Sequence, residues 1–241
     1  MRLFTVTAML LFSFIAQASE HARLWQAAGW PQQRAHFAAA LTDVQQRYQQ
    51  TLPSALYQAL LTNSTQRFAS PALETRAQNT LAAELTDPSQ ALAFFESSLG
   101  RKIVAAETSA TTAAELKKNA NGIPAIEADA GRRLLIRHLA QALPAAEAAT
   151  EVSLALAGVA ADSLAQMLPG LNNGQSQVLL DSQRARLLEQ IQKDVDNTLL
   201  YVYRDLSDAE LDSFVEFANS QAGKTYYQAA VKTLQAALRP H

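Results

Sequence analysis

The side chains able to bind or transform a ligand are few, and the densest cluster of them is cationic. Arg132, Arg133 and Arg137 fall within six residues. On a helix Arg133 and Arg137 share a face four residues apart, and guanidinium groups so placed suit a phosphate or a carboxylate. Glu127 and Asp129, about one turn earlier, are alternative partners for the same groups. The acidic counterpart is a run of eight carboxylates from Glu189 to Glu216, interrupted only by Lys193 and Arg204. It reads as a surface for a divalent cation or a basic partner, or as a solvated helical face. Four histidines (His21, His36, His138 and His241) lack any spacing that gives two ligands on one helix face. No serine stands in a nucleophile motif with a histidine and an acid nearby. The absence of cysteine excludes disulfides, zinc–thiolate sites, iron–sulfur clusters and thiol catalysis. The expectation is a chain without a metal, a cofactor or a catalytic residue.

A second constellation recurs. Phe94, Ser97, Gly100 and Arg101 reappear as Phe217, Ser220, Gly223 and Lys224, giving F-x-x-S-x-x-G plus a basic residue twice. A serine can cap the helix that follows it, and a glycine three residues later lets that helix's first turn lie against the preceding one. With phenylalanine one turn upstream, each set predicts a helix–helix corner. The competing reading makes Arg101 and Lys224 the cations of an anion site at a helix N-terminus. Upstream matches extend the repeat: Asn79-Thr80-Leu81 with Asn197-Thr198-Leu199, Leu85-Thr86-Asp87 with Leu206-Ser207-Asp208, and Leu52-Pro53 with Leu168-Pro169.

The elements that must carry these residues are helices. Ala, Leu and Gln number 47, 34 and 22 among 241 residues, and all three are strong helix formers. Phe37, Leu41, Val44, Tyr48 and Leu52 make one helical stripe; Leu188, Ile191, Val195, Leu199 and Val202 make another over roughly 177–204. Ser70-Pro71 and Thr86-Asp87-Pro88 each read as a cap followed by proline at the first helical position. Thr112 with Glu115 and Ser207 with Glu210 fit the capping box. No segment alternates with period two, so strand-based nucleotide and hydrolase motifs have no context. The fold expected is all-α, about ten antiparallel-packed helices in two related halves.

Residues 1–18 read as a signal peptide, with Arg2, an apolar run from Leu3 to Ile15, and an Ala16-Gln17-Ala18 pattern that places cleavage between Ala18 and Ser19. The run is shorter than the roughly 20 residues a spanning helix needs. Asn121-Gly122 and Ile123-Pro124 are breakers, dividing an N-terminal half, 19–124, from a C-terminal half, 125–241. Val152–Ala161 is apolar but short, so no transmembrane segment is expected in the mature chain. Charged residues supply 17% against roughly 25% on average, and the mild acidity gives no reason to expect nucleic acid.

The two Ser/Gly segments, the exported start and the helical spacing together resemble the secreted bacterial proteins of domain-of-unknown-function family 2059. The resemblance covers about 178–238 and, more weakly, about 24–110. The family shows F-x-x-S-P-x-G-K, whereas this chain has Ser98 and Gln221 at the proline position. The resemblance implies a helical, periplasmic protein of a Gram-negative bacterium and carries over no catalytic residue. The residues themselves point to a non-catalytic protein that holds a protein segment or an apolar small molecule between helices. One alternative is a cell-envelope hydrolase whose site assembles from scattered residues. Another is a peripheral membrane or lipid-binding protein using Trp25 and Trp30 on an exposed first helix.

Overall fold

The computed structural model describes residues 20–69, 71–166 and 173–239. The leader 1–18 with its cleavage point, the Ser70 cap, Leu168-Pro169 and His241 lie outside the described residues. Within them the chain is all-α, and no strand occurs. The helices are α1 (20–27), α2 (Trp30–Thr51), α3 (Ser54–Phe68), α4 (Pro71–Glu84), α5 (Ser89–Glu96), α6 (Ser98–Ala110), α7 (Ala113–Lys118), α8 (Ala130–Ala142), α9 (Ala145–Ala165), α10 (Asn173–Val202), α11 (Asp208–Asn219) and α12 (Gln221–Leu238).

The order of elements repeats. A short opening helix (α1, α8) is followed by a helix of 22 or 21 residues (α2, α9). A long return follows, α10 with 30 residues, matched in the first half by α3 with 15 and α4 with 14. The first-half return is broken before Pro71, because proline offers no N–H to the carbonyl four residues back. A capped pair follows in each half, α5–α6 or α11–α12, and the first half adds the short α7 after it. The division near residue 124 falls in the non-helical stretch 122–129. That stretch is clamped by Asn197, whose Oδ1 accepts from Ile126 N at 2.8 Å while its Nδ2 donates to Ile123 O and Pro124 O at 3.2 and 3.1 Å.

Packing crosses that division. The first core joins Leu24, Trp25, Leu81, Leu85, Leu92 and Phe95 to Tyr226, Ala229 and Ala237 of α12. The second joins Ile136, Leu139, Leu199, Leu206, Leu211 and Phe214 to Ile103 of α6. The second helix of each capped pair, α6 or α12, therefore completes the core of the other half. At the centre Phe94 stacks on Phe217, its own counterpart in the repeat, with centroids 3.6 Å apart and planes 4° from parallel. Contact between equivalent residues is what a two-fold relation produces.

A third, smaller core gathers Phe68, Ala155, Val159 and Leu238, with Phe37, Leu41 and Leu60 against it. Only the start of the Phe37–Leu52 stripe is used in this way. No residue between Pro31 and Asn63 is buried, and Tyr48 is exposed, so the far end of the α2–α3 hairpin stands clear of the cores.

Capping follows local chemistry. The Ser207/Glu210 box is complete: Ser207 Oγ accepts from Glu210 N at 3.3 Å, and Glu210 accepts from Ser207 N at 2.7 Å. The Thr112/Glu115 box forms only its first half, because the Glu115 carboxylate instead takes the Tyr201 hydroxyl and pairs with Lys118. α5 starts at Ser89, one residue beyond the expected proline start, with Asp87 Oδ1 accepting from Ser89 N at 3.0 Å.

Candidate functional site

The corners are built in the same way in both halves. Ser97 Oγ accepts from Gly100 N at 3.0 Å, and Ser220 Oγ accepts from Gly223 N at 3.0 Å. A Cβ on Gly100 would run into the Phe94 carbonyl, and one on Gly223 into the Phe217 carbonyl. The glycines therefore permit backbone-on-backbone approach, and the two phenylalanines they hold meet each other. Arg101 Nη1 turns back to the carbonyl of Glu96, at the end of α5. Favourable pairing of a cation with helix-end carbonyls explains that placement. Lys224 is exposed. The serine oxygens and glycine N–H groups that an anion would need already engage each other.

The arginine cluster does not converge on an anion. Arg132 is largely buried: Nη1 pairs with Asp208 at 2.7 Å, while Nη2 donates to Tyr203 O at 2.8 Å and Leu206 O at 3.0 Å. It thus caps the end of α10 and ties it to α8 and α11. Arg133 Nε donates to Ala128 O at 2.6 Å, and Arg137 lies 3.6 Å from Asp196. Lys102 of α6 pairs with Glu210 at 2.7 Å. Arg132 and Arg137 therefore pair with two members of the acidic run, Asp208 and Asp196, while Arg133 is held by a backbone carbonyl. The same cation-on-carbonyl device recurs where Arg67 donates to Leu238 O and Arg76 to Ala236 O and Ala237 O at the end of α12.

Two features were not singled out by residue type. The first surrounds Glu107 on α6, a partly buried residue whose carboxyl accepts from Tyr203 Oη at 2.7 Å. Desolvation pushes this carboxyl up from its ordinary 4.5, with the tyrosine hydrogen bond opposing the shift. Burial likewise raises the phenols of Tyr203, Tyr226 and Tyr227, and the Glu107 carboxyl adds to each. The sequence signal was an acid four residues after Ile103, on what becomes a packed face. Glu107 has a tyrosine as its partner rather than the second carboxylate that paired acid–base hydrolysis uses.

The second feature is the outward face of α9. Thr150, Leu154, Ala155, Gly158, Val159 and Ser163 point into the protein. The opposite stripe holds Ala149, Ser153, Leu156, Ala157, Ala160 and Leu164, without a charge; Leu156 and Leu164 are 41% and 46% exposed. α9 is long and apolar enough by length and composition to cross a membrane, yet its inner face is a core-packing face against α3, α10 and α12. Trp25, in contrast, is buried at 4% exposure and stacks on Trp30 at 4.9 Å. The tryptophans that would have marked a membrane-facing first helix therefore lie inward.

Among the described residues no group of three His, Asp or Glu side chains is arranged to hold a metal ion. In comparisons with family models, curated proteins and solved structures, nothing matches this chain.

Proposed function

We propose that this chain is exported to the periplasm of a Gram-negative bacterium by its 1–18 leader, as a relative of family 2059, and acts there as a non-catalytic interaction protein. The observation that carries the reading is the outward stripe of α9. From Ala149 to Leu164 it spans about 22 Å at 1.5 Å per residue, long enough for a partner's helix or extended segment. Exposed leucines on a charge-free stripe favour burial against an apolar partner. Glu147 is exposed near one end and Asp162 lies near the other, so a partner segment with basic flanks suits it better than an anionic lipid surface.

The test is photo-crosslinking in the periplasm from an unnatural residue at position 156 or 164 of the full exported chain, with position 193 as a surface control. Discrete adducts at 156 and 164, lost when the other leucine of the pair becomes glutamate, are the expected outcome. Recovery of the uncrosslinked chain at all three positions removes the reading.

A further inference from the structure

The exchanged helices α6 and α12 differ in one chemical respect. Glu107 lies ten residues after its corner serine; the residue ten after the other corner serine is Ala230. Ala230 packs against the first core as an apolar contact. At the second core the equivalent place holds a carboxyl hydrogen-bonded to Tyr203. Tyr203 is itself fixed at both ends. Its carbonyl accepts from Arg132 at 2.8 Å, and its ring, 2% exposed, meets Phe214 edge-on at 5.4 Å. The hydrogen bond therefore ties the exchanged helix α6 to the core that receives it, in one half and not the other.

We propose that the Glu107–Tyr203 pair is a proton-operated clasp between the two halves, closed while Glu107 carries its proton and loosened when the proton leaves. The physical reason is the company the carboxyl keeps. From the end of α10 it faces Tyr203, and from α12 it faces Tyr226 and Tyr227. On α2 His36 is held 3.0 Å from Thr111 Oγ1, on α8 Arg132 is paired with Asp208, and on α11 Glu210 is paired with Lys102 of α6. On α7 Glu115 is engaged by Tyr201 and Lys118, and on α5 Glu96 is paired with Arg23 at the surface. Among the described residues the side chain donating to Glu107 is the neutral phenol of Tyr203, and no cation is paired with it, so an ionised carboxylate there has a hydrogen bond but not a counter-charge. A neutral acid closes without burying charge, whereas a carboxylate gains solvation when α6 separates from Tyr203.

The sign follows from linkage. The closed state holds the proton more tightly than the open state, in which Glu107 ionises near its ordinary 4.5. Below that value this group contributes no pH dependence. Above it, opening gains up to about tenfold per pH unit until Glu107 ionises in the closed state as well.

Hydrogen exchange of the full mature chain between pH 4 and 7, corrected for the intrinsic exchange rate, reads this directly. Protection of the α6 amides and of residues 203–206 is expected to fall by up to about tenfold per unit above pH 4.5 and then level off. Glu107→Gln, which keeps an acceptor for Tyr203, should hold that protection level across the range. Tyr203→Phe removes the hydrogen bond that favours the carboxylate, so its fall should continue to higher pH. A pH-independent wild type overturns the clasp, as does a Glu107→Gln chain that falls like wild type. Should Glu107→Gln fail to fold, Tyr203→Phe decides alone: an unmoved transition overturns the proposal.

Discussion

In the second half a single helix of 30 residues, α10, runs where the first half has α3 and α4 separated before Pro71. The opening helices α1 and α8 differ as well. His21 Nε2 meets the carbonyl of Leu85 at 2.6 Å, whereas Arg132 reaches the equivalent carbonyl of Leu206 at 3.0 Å and adds an ion pair to Asp208. Between these varied parts the two corners keep the same atoms at the same separations. The difference teaches where the architecture tolerates change. A return helix can break, because each segment retains its own packing face. A turn carbonyl can be met by any suitable donor. A corner where one backbone lies against another leaves space only for glycine.

Gly100→Ala and Gly223→Ala test that equivalence most severely. In each, the new Cβ meets a backbone carbonyl rather than the end of a flexible side chain. Each should lose about 3 kcal/mol, the upper range for overpacking. Chemical denaturation of the two variants measures it. A Gly100→Ala chain that loses under about 1 kcal/mol while Gly223→Ala is crippled would show that only one corner bears the close approach.

The next test concerns the centre. Phe94 and Phe217 are each partly buried, so truncation to alanine should cost about 2 kcal/mol apiece, below the range for fully buried rings. Because the rings stack on each other, the double variant should lose less than the sum of the two, with a coupling of about 1 kcal/mol. Strict additivity would mean that the halves are joined by the exchanged helices alone and not by this pair.

How far such features can be read from the chain depends on sequence distance. Each corner is specified within seven residues, and Ser-to-Gly capping operates across one turn, so the spacing of Ser97 and Gly100 carries its own geometry. The all-α class is likewise local, since it rests on propensity and stripe spacing. The partners of Arg132 are 71 to 76 residues away, and the Glu107–Tyr203 bond joins residues 96 apart. Residue type signals a guanidinium or a carboxyl, but only the exchange of α6 and α12 decides what it meets. That is why Arg132, Arg133 and Arg137 suggest an anion site, while no local spacing marks Glu107. Trp25 and Trp30 illustrate the same limit: their spacing cannot tell an exposed first helix from one sealed into a core by α4, α5 and α12.

Acid titration gives the smallest and most discriminating comparison, at the starts of α5 and α11. In the first half, hydrogen bonds from the Ser89 hydroxyl and backbone N–H hold the Asp87 carboxyl below its ordinary value. In the second, the Lys102 hydrogen bond and then the Ser207 backbone and hydroxyl hold Glu210 down to about 2. Both groups have depressed folded-state values, so each contributes stability above its unfolded pKa, and that contribution is lost as pH falls through the folded one. For Glu210 the window runs from 4.5 down to about 2. Lys102 comes from α6, so its ion pair reaches across the division between the halves, whereas the Asp87 contacts stay within one turn. Both sites are solvent-exposed, and added salt should therefore weaken the Lys102 contribution while leaving the Ser89 hydrogen bonds in place. Thermal denaturation between pH 2 and 5, at low and high salt, should show Glu210→Gln flattening the acid limb less at high salt than at low, and Asp87→Asn flattening it equally at both. A Glu210→Gln effect that salt leaves unchanged would assign the depression to the Ser207 box alone, and leave the two helix starts alike.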